Sequence, residues 1–289
     1  MILRKEVEQV AEQKGVARDT IDKDWVLGHF LAGIYAESTL REVLIFKGGT
    51  CLKKCWFPDY RFSEDLDFTS RKHDFELTKG HIDVICDHVN THASILTHVA
   101  SLIPLKFENK IAGYEVVIKF WGANHAKNDV PPSPERWHSK IKIEVILYEI
   151  LLFAQVNRKI IHDYSDQLAI EPNLIPCYQI EEMLAEKLRA LIQRSYTAPR
   201  DYYDIWYLSK SVEGLNWNNI VKGFHEKMKF KNLEFTGIEQ FINEDNDKRL
   251  KGAWKNSLAH QIPGDSLPGY DTVKAELADL FKKEFDKAK

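Results

Sequence analysis

Hydrophobic and polar residues follow two different periods along the chain, and the change between them predicts an ordered set of elements. Apolar residues recur at helical spacing over residues 24–40, whereas they alternate with polar residues over Lys140–Tyr148. Val43–Phe46 is a short apolar run typical of a buried strand. The predicted helices span 3–13, 24–40, 50–56 and 74–100, and the predicted strands span 43–46, 65–68, 114–120 and 140–148.

Helical patterns dominate from about residue 160 to the end of the chain. We therefore expect an α+β fold, with a mixed sheet and flanking helices over residues 1–160 and a helical domain over residues 161–289.

Composition narrows the class of protein. The 289 residues are 44% hydrophobic and 29% charged, with a net charge of −3, as expected for a soluble globular protein that is not a general nucleic-acid coat. No signal peptide or membrane span is expected. The four cysteines form no CxxC pair and the eleven histidines no HExxH pair, so we expect reduced thiols in a cytoplasmic protein and no zinc site.

A pair of glycines follows the first predicted strand, in Lys47-Gly48-Gly49-Thr50. Glycine lets a ligand approach the backbone closely, and the start of the following helix carries partial positive charge that suits a phosphate. Thr50 is placed to cap that helix or to bind a phosphate oxygen. A simple tight turn explains the same residues equally well.

Two aspartates follow in Asp65-Leu66-Asp67. Side chains alternate along a strand, so Asp65 and Asp67 share one face. At about 4 Å, two such charges repel by roughly 4 kcal/mol at an effective dielectric of about 20, and a divalent cation such as Mg²⁺ offsets that repulsion. The alternative is an exposed strand whose acids are solvated.

Together these two segments resemble the nucleotidyltransferase signature of the AbiEii toxin family, within the polymerase-β-like superfamily. The matching residues are Phe46–Leu52 and Arg61–Phe68, which provide a strand, a Gly-Gly-Thr turn, a helix and then Arg-x-Ser-x-Asp-x-Asp. The resemblance implies a nucleotidyltransferase-fold sheet, with Asp65 and Asp67 holding Mg²⁺ or Mn²⁺. It also implies that Gly48, Gly49, Thr50 and Ser63 lie near the triphosphate.

A third carboxylate is expected from a neighbouring strand. Glu144 lies on the polar face of Lys140–Leu147, and in the superfamily such a residue binds metal or helps to deprotonate the attacking hydroxyl. A salt bridge between Glu144 and Lys142 is the alternative, and Glu115 is a weaker candidate for the same role.

The second predicted domain carries a lysine on the apolar side of an amphipathic helix, Ile180–Arg194. Lys187 there needs an anion, either a nucleotide phosphate or a buried partner. The family carries a lysine in a matching context, and its Arg-Asp-x-x-Asp motif matches Arg200–Ile205. The resemblance implies that Asp204 orients Lys187 or contacts the nucleotide; an Arg200–Asp204 helix pair is the alternative.

Other residues of this domain have two interpretations each. The aromatic residues either stack on a base or pack in the core, and the lysines either bind a phosphate backbone or form a solvated face. They are Tyr202, Tyr203, Trp206 and Tyr207, and Lys222, Lys227, Lys229 and Lys231.

The resemblance implies a bacterial toxin of a toxin–antitoxin or phage-defence system. It would transfer a nucleoside monophosphate from an NTP to RNA, notably a tRNA 3′ end, and would have a cognate antitoxin. Transfer to a protein or small-molecule hydroxyl, or nucleotide binding without catalysis, are the alternatives.

Overall fold

The computed structural model describes residues 1–126, 128–194, 198–264 and 266–286. Its contacts divide the chain into two units. The first consists of Met1–Glu149 and Gln155–Cys177, and the second of Ile150–Ala154 and Tyr178–Lys289. Residues 161–177, which the sequence analysis assigned to the helical domain, thus lie in the first unit. No helix in the described residues is long and apolar enough to cross a membrane.

The first unit begins with helices, and its strands and remaining helices follow. Its helices are α1 (Arg4–Lys14), α2 (Arg18–Ala36), α3 (Ser38–Val43), α4 (Gly48–Cys51) and α5 (Lys79–Ala93), and a π-helical turn, Leu52–Trp56, continues α4. Its strands are β1 (Leu44–Lys47), β2 (Asp65–Ser70), β3 (Leu96–Phe107), β4 (Lys110–Trp121), β5 (Lys140–Ile146), β6 (Val156–Arg158) and β7 (Ile175–Cys177).

In the described residues the strands form one seven-stranded mixed sheet in the order β3-β4-β5-β2-β1-β7-β6. β2 is antiparallel to β1 and parallel to β5, and β7 is parallel to β1. The strand that carries Asp65 and Asp67 therefore lies between the strand that leads into the glycine turn and the strand that carries Glu144. This confirms the predicted mixed sheet with flanking helices.

Helix α2 forms much of the core of this unit. Trp25, Phe30 and Tyr35 on three successive turns are fully buried, so the helix has no solvent face along most of its length. A helix that is buried on every side must be enclosed by other elements, and α2 packs against α1 and α5.

One long predicted helix is wrong. The pattern predicted a helix over 74–100, but α5 ends at Ala93, where Ser94 adopts a left-handed conformation, and β3 begins at Leu96. β3 pairs along its length with β4, and Glu108 and Asn109 turn the hairpin with positive φ. Pairing with a distant strand overrides the local helical pattern.

The described part of the second unit is mainly helical, as expected for the C-terminal part of the chain. It contains α6 (Ile180–Gln193), α7 (Pro199–Ser211), α8 (Trp217–Phe230), α9 (Glu244–Leu258) and α10 (Tyr270–Asp286). α6 packs against α7 and α8, and α10 packs against α7, α8 and α9.

Candidate active site

Strand register places three acidic residues side by side. In the parallel pairing of β2 and β5, Asp67 lies opposite Glu144 and Asp65 lies opposite Lys142. Adjacent strands are about 4.8 Å apart, and alternate residues of a strand project to one face. Asp65, Asp67 and Glu144 therefore project to one face of the sheet from two neighbouring strands.

The electrostatic state of Asp67 reflects this crowding. Burial raises its pKa to about 6, and the nearby carboxylates of Glu144 and Asp65 act in the same direction, while Lys47 and Lys142 oppose them. The ionised form of Asp67 is therefore costly at neutral pH with the protein groups alone. A divalent cation among these oxygens would remove that cost.

Lys142 lies among the same carboxylates. Its Nζ is 3.5 Å from Glu144 Oε2 and 3.8 Å from Glu115 Oε2. Burial opposes its charge, but Glu144, Asp65 and the other acids raise its pKa above the ordinary value. Glu115 lies opposite Glu144 in the β4–β5 register. The contact between Glu144 and Lys142 that was the alternative for Glu144 is thus present. Glu144 also lies beside Asp67, so the two arrangements occur together. Glu115 extends the row of acids.

The glycine turn lies directly against the acidic pair. Gly48 has a φ of +81°, and a Cβ at this position would overlap with the Oδ2 of Asp67. A Cβ on Gly49 would be 2.9 Å from Arg61 Nη2 and 3.0 Å from Ser63 Oγ. Gly48 is therefore required by its φ and by close approach to the carboxylate, whereas a side chain at Gly49 would displace the end of Arg61 and the Ser63 hydroxyl.

Thr50 and Arg61 are buried beside this turn. The hydroxyl of Thr50, which is 1% exposed, donates a hydrogen bond to the main-chain carbonyl of Asp65. Arg61 is 4% exposed, and its Nη1 donates to the carbonyl of Phe62 at 3.3 Å. Thr50 thus fixes the start of β2 relative to α4. Arg61 was not predicted to have a role in the site, although its position in the Arg-x-Ser motif was a signal.

The second unit contains its own charged cluster. Lys187 Nζ on α6 is 2.5 Å from Asp204 Oδ2 and 3.3 Å from Asp201 Oδ1, both on α7. Arg194 donates to the other oxygen of Asp201. Asp204 is fully buried. Its carboxylate contacts the Lys187 ammonium group and holds it in place. Asp201 was missed, although it lies one turn before Asp204 on the same helical face.

A model of the nucleotidyl transferase AbiEii toxin family, of type IV toxin–antitoxin systems, matches residues 29–276. The chain belongs to the AbiEii family. This membership makes it a nucleotidyltransferase of a toxin–antitoxin system. Nucleotidyltransferases of this family use an NTP as substrate and generally a divalent metal.

Two solved structures share the fold of this AbiEii member. MenT4, a nucleotidyltransferase toxin from Mycobacterium tuberculosis H37Rv, is 17% identical with a TM-score of 0.66, and the match covers 99% of this chain and 90% of that one. JHP933 from Helicobacter pylori is 15% identical with a TM-score of 0.55, and the match covers 94% of each chain. No curated protein matches the sequence.

Two aromatic residues of the AbiEii member's α7 have hydrogen-bond partners within the protein. Tyr202 is buried and donates its hydroxyl to the Phe241 carbonyl at 2.6 Å, and Trp206 Nε1 donates to Glu276 at 2.6 Å. Burial favours core packing over base stacking for Tyr202, whereas Trp206 is half-buried and both interpretations of it stay open.

Within the predicted lysine run, Lys227 is not a surface residue. It is 0% exposed, its Nζ is 2.6 Å from Glu182 Oε1, and it donates to the Ile150 carbonyl at 2.8 Å. Lys227 is therefore a core ion-pair residue, and its partner Glu182 on α6 is buried as well.

Proposed function

We propose that this AbiEii-family chain transfers a nucleoside monophosphate from an NTP to an RNA hydroxyl, at the 3′ end of tRNA, in a Mg²⁺-dependent reaction. It would act in the bacterial cytoplasm as the toxin partner of a cognate antitoxin, in a toxin–antitoxin or phage-defence system. The observation that carries the proposal is the row of Asp65, Asp67 and Glu144 beside the Gly48-Gly49 turn.

The donor set fits a hard divalent cation. Asp65, Asp67 and Glu144 offer carboxylate oxygens, which are the ligands that Mg²⁺ and Mn²⁺ prefer. Burial and the neighbouring carboxylates of Glu144 and Asp65 raise the pKa of Asp67, and a divalent cation among these oxygens would oppose that shift. When bound, the metal would polarise the phosphate oxygens and stabilise the charge that develops on the leaving pyrophosphate.

The residues of the turn supply the phosphate-binding part of the proposal. Main-chain N–H groups in the first turn of a helix have no intrahelical acceptor, and glycine leaves them accessible. We assign this role to Gly48 and Gly49, with Ser63 beside Gly49 as a hydroxyl donor. Thr50 would support the same site by fixing Asp65.

Glu144 and Lys187 complete the proposed set. In the reaction the acceptor hydroxyl oxygen forms a bond to the α-phosphorus, the bond from that phosphorus to pyrophosphate breaks, and the hydroxyl proton leaves. Glu144 would bind metal and accept that proton. Lys187 would neutralise a phosphate, and Asp204, which contacts its Nζ, would orient it.

The test is transfer of label from each radiolabelled NTP to total tRNA with Mg²⁺, comparing the wild type with Asp67→Asn. The matched control is Asp59→Asn, because the Asp59 side chain is 82% exposed and contacts only Lys14 among the salt bridges of the described residues. We expect Asp67→Asn to abolish transfer and Asp59→Asn to retain it.

Three outcomes would contradict the proposal. Transfer that persists in Asp67→Asn would remove the assignment of the metal site. Label that appears only on protein or on a small molecule would overturn the RNA acceptor, and binding of NTP without any transfer would indicate a non-catalytic protein.

A further inference from the structure

Three of the four cysteines converge in the core of the first unit. Cys51 ends α4, Cys55 lies in the π-helical turn that follows, and Cys177 ends β7. Their sulfur atoms all lie within 4.8 Å of one another, and all three residues are at most 2% exposed. The fourth cysteine, Cys86 on α5, is half-buried and is not part of this group.

The backbone that builds the cluster is unusual at one point. A π-helical turn joins Cys51 to Cys55, closed by a hydrogen bond from the Phe57 N–H to the Leu52 carbonyl at 2.8 Å. Isolated π turns occur often at functional sites. Cys177 reaches the same point because β7 pairs with β1, where it lies opposite Phe46. Two distant segments of the chain are thus needed to assemble the sulfurs.

The separations fit metal coordination. Zinc–sulfur bonds are about 2.3 Å long, so a planar three-sulfur site needs sulfurs about 4.0 Å apart. The three sulfur atoms all lie within 4.8 Å of one another, so small side-chain adjustments would bring them to that separation. In the described residues this group contains neither histidine nor carboxylate. An all-sulfur set selects soft cations and disfavours Mg²⁺.

Charge around the cluster also suits a thiolate site. Burial opposes ionisation of Cys55, but its hydrogen bonds with Cys177 and Cys51 and the charges of Arg158 and Lys54 together lower its pKa. Arg158 also donates from Nε to the Cys55 carbonyl at 3.0 Å. Burial raises the pKa of Cys51 and Cys177, so both are thiols without a metal. A bound cation would displace their protons to solvent.

We propose that Cys51, Cys55 and Cys177 form a three-thiolate site for a soft, thiophilic cation such as Zn²⁺, Cu⁺ or Cd²⁺, separate from the carboxylate site. Because Cys51 directly follows Gly48-Gly49-Thr50, a bound cation would fasten the helix of the glycine turn to β7. Thiol packing alone is the competing explanation, since buried cysteine also behaves as a small apolar residue.

The test uses Cd²⁺ alone as the probe, added to the reduced full-length chain. Cadmium bound to thiolates gives an ultraviolet charge-transfer band, whereas cadmium bound to carboxylates does not. We expect a band that saturates at one Cd²⁺ per chain, is lost in Cys177→Ser and is retained in Cys86→Ser, the matched control. Asp67→Asn should also retain it, so the outcome is independent of the proposed nucleotidyl transfer.

Two measurements keep the result interpretable if Cys177→Ser folds poorly. Far-ultraviolet circular dichroism checks each variant, and Cys51→Ala provides a second removal of a ligand. X-ray absorption of the cadmium-loaded wild type requires no substitution and should show a shell of sulfur neighbours. A wild type without the band, a band that survives in folded Cys177→Ser, or an oxygen-only shell would overturn the proposal.

Discussion

Gly48→Ala separates the two reasons for a glycine beside the acidic pair. The first is backbone strain, because a φ of +81° is left-handed. For alanine this costs about 1–2 kcal/mol, offset by about 0.4–1 kcal/mol from the stiffer unfolded chain. The second is contact with Asp67, whose Cγ would lie only 3.1 Å from the new Cβ. Carbon atoms prefer about 3.5–4.0 Å, so the carboxylate must move by up to about 1 Å.

The expected result is a modest loss of stability with a large loss of activity. Strain alone predicts a decrease of about 1 kcal/mol in the free energy of unfolding. A displacement of about 1 Å in a catalytic group reduces the rate by about 100-fold. Denaturant unfolding measures the first quantity, and label transfer to tRNA measures the second.

Gly214→Ala is the matched control. Gly214 also has a left-handed φ, +73°, but a Cβ there would meet nothing within 4 Å. It should therefore show the strain without the loss of activity. If Gly48→Ala transfers label at the wild-type rate, or if both variants lose activity equally, the argument that Gly48 makes room for the Asp67 carboxylate is refuted.

The remaining predictions concern buried charges. Burial raises the pKa of Asp22 from 3.8 to about 6, so its contribution to stability is complete below pH 3.8 and is lost as the pH rises through 6. Relative to the wild type, Asp22→Asn should therefore gain about 2–2.5 kcal/mol in the free energy of unfolding between pH 4 and pH 8. Denaturant unfolding at the two pH values measures this difference, and an unchanged difference would refute the prediction. Lys227→Met should cost about 3–5 kcal/mol because it leaves Glu182 buried without a cation, and the double variant with Glu182→Gln should recover part of that loss; additive effects would contradict the ion pair. Lys187→Met should lower kcat/KM for label transfer by about 100-fold or more. Lys222→Met is the control, and it should leave kcat/KM unchanged because Lys222 is exposed. Equal activity in the two variants would remove Lys187 from the proposed site.

The local parts of the fold were predictable from the sequence. The glycine turn, the alternation around Asp65 and Asp67 and the pattern of Lys140–Tyr148 are all set by short-range periodicity, and the structure contains the corresponding turn and strands. The same alternation of side chains places Asp67 and Glu144 on one face, provided that their strands are neighbours in the sheet.

The parts that were missed depend on distant pairing. β3 has a sequence that also fits a helix, and only its partner β4 makes it a strand. β6 and β7 are three residues each, too short to give a period. Lys227 belongs to a lysine run that is typical of a solvated face, and it is tolerated in the core because the buried Glu182 is its partner.

β7 is synthesised long after β1, and this order has a consequence for the nascent protein. β1, which leads into the glycine turn, acquires its second neighbour from a strand that begins at Ile175. On the ribosome, a nascent chain that already contains the turn and all three acids therefore still exposes one unpaired edge of β1. Open strand edges promote association between chains. A fragment cut at residue 160 would retain that edge permanently, so we expect it to aggregate, whereas in a fragment that extends past Cys177 that edge of β1 would pair with β7.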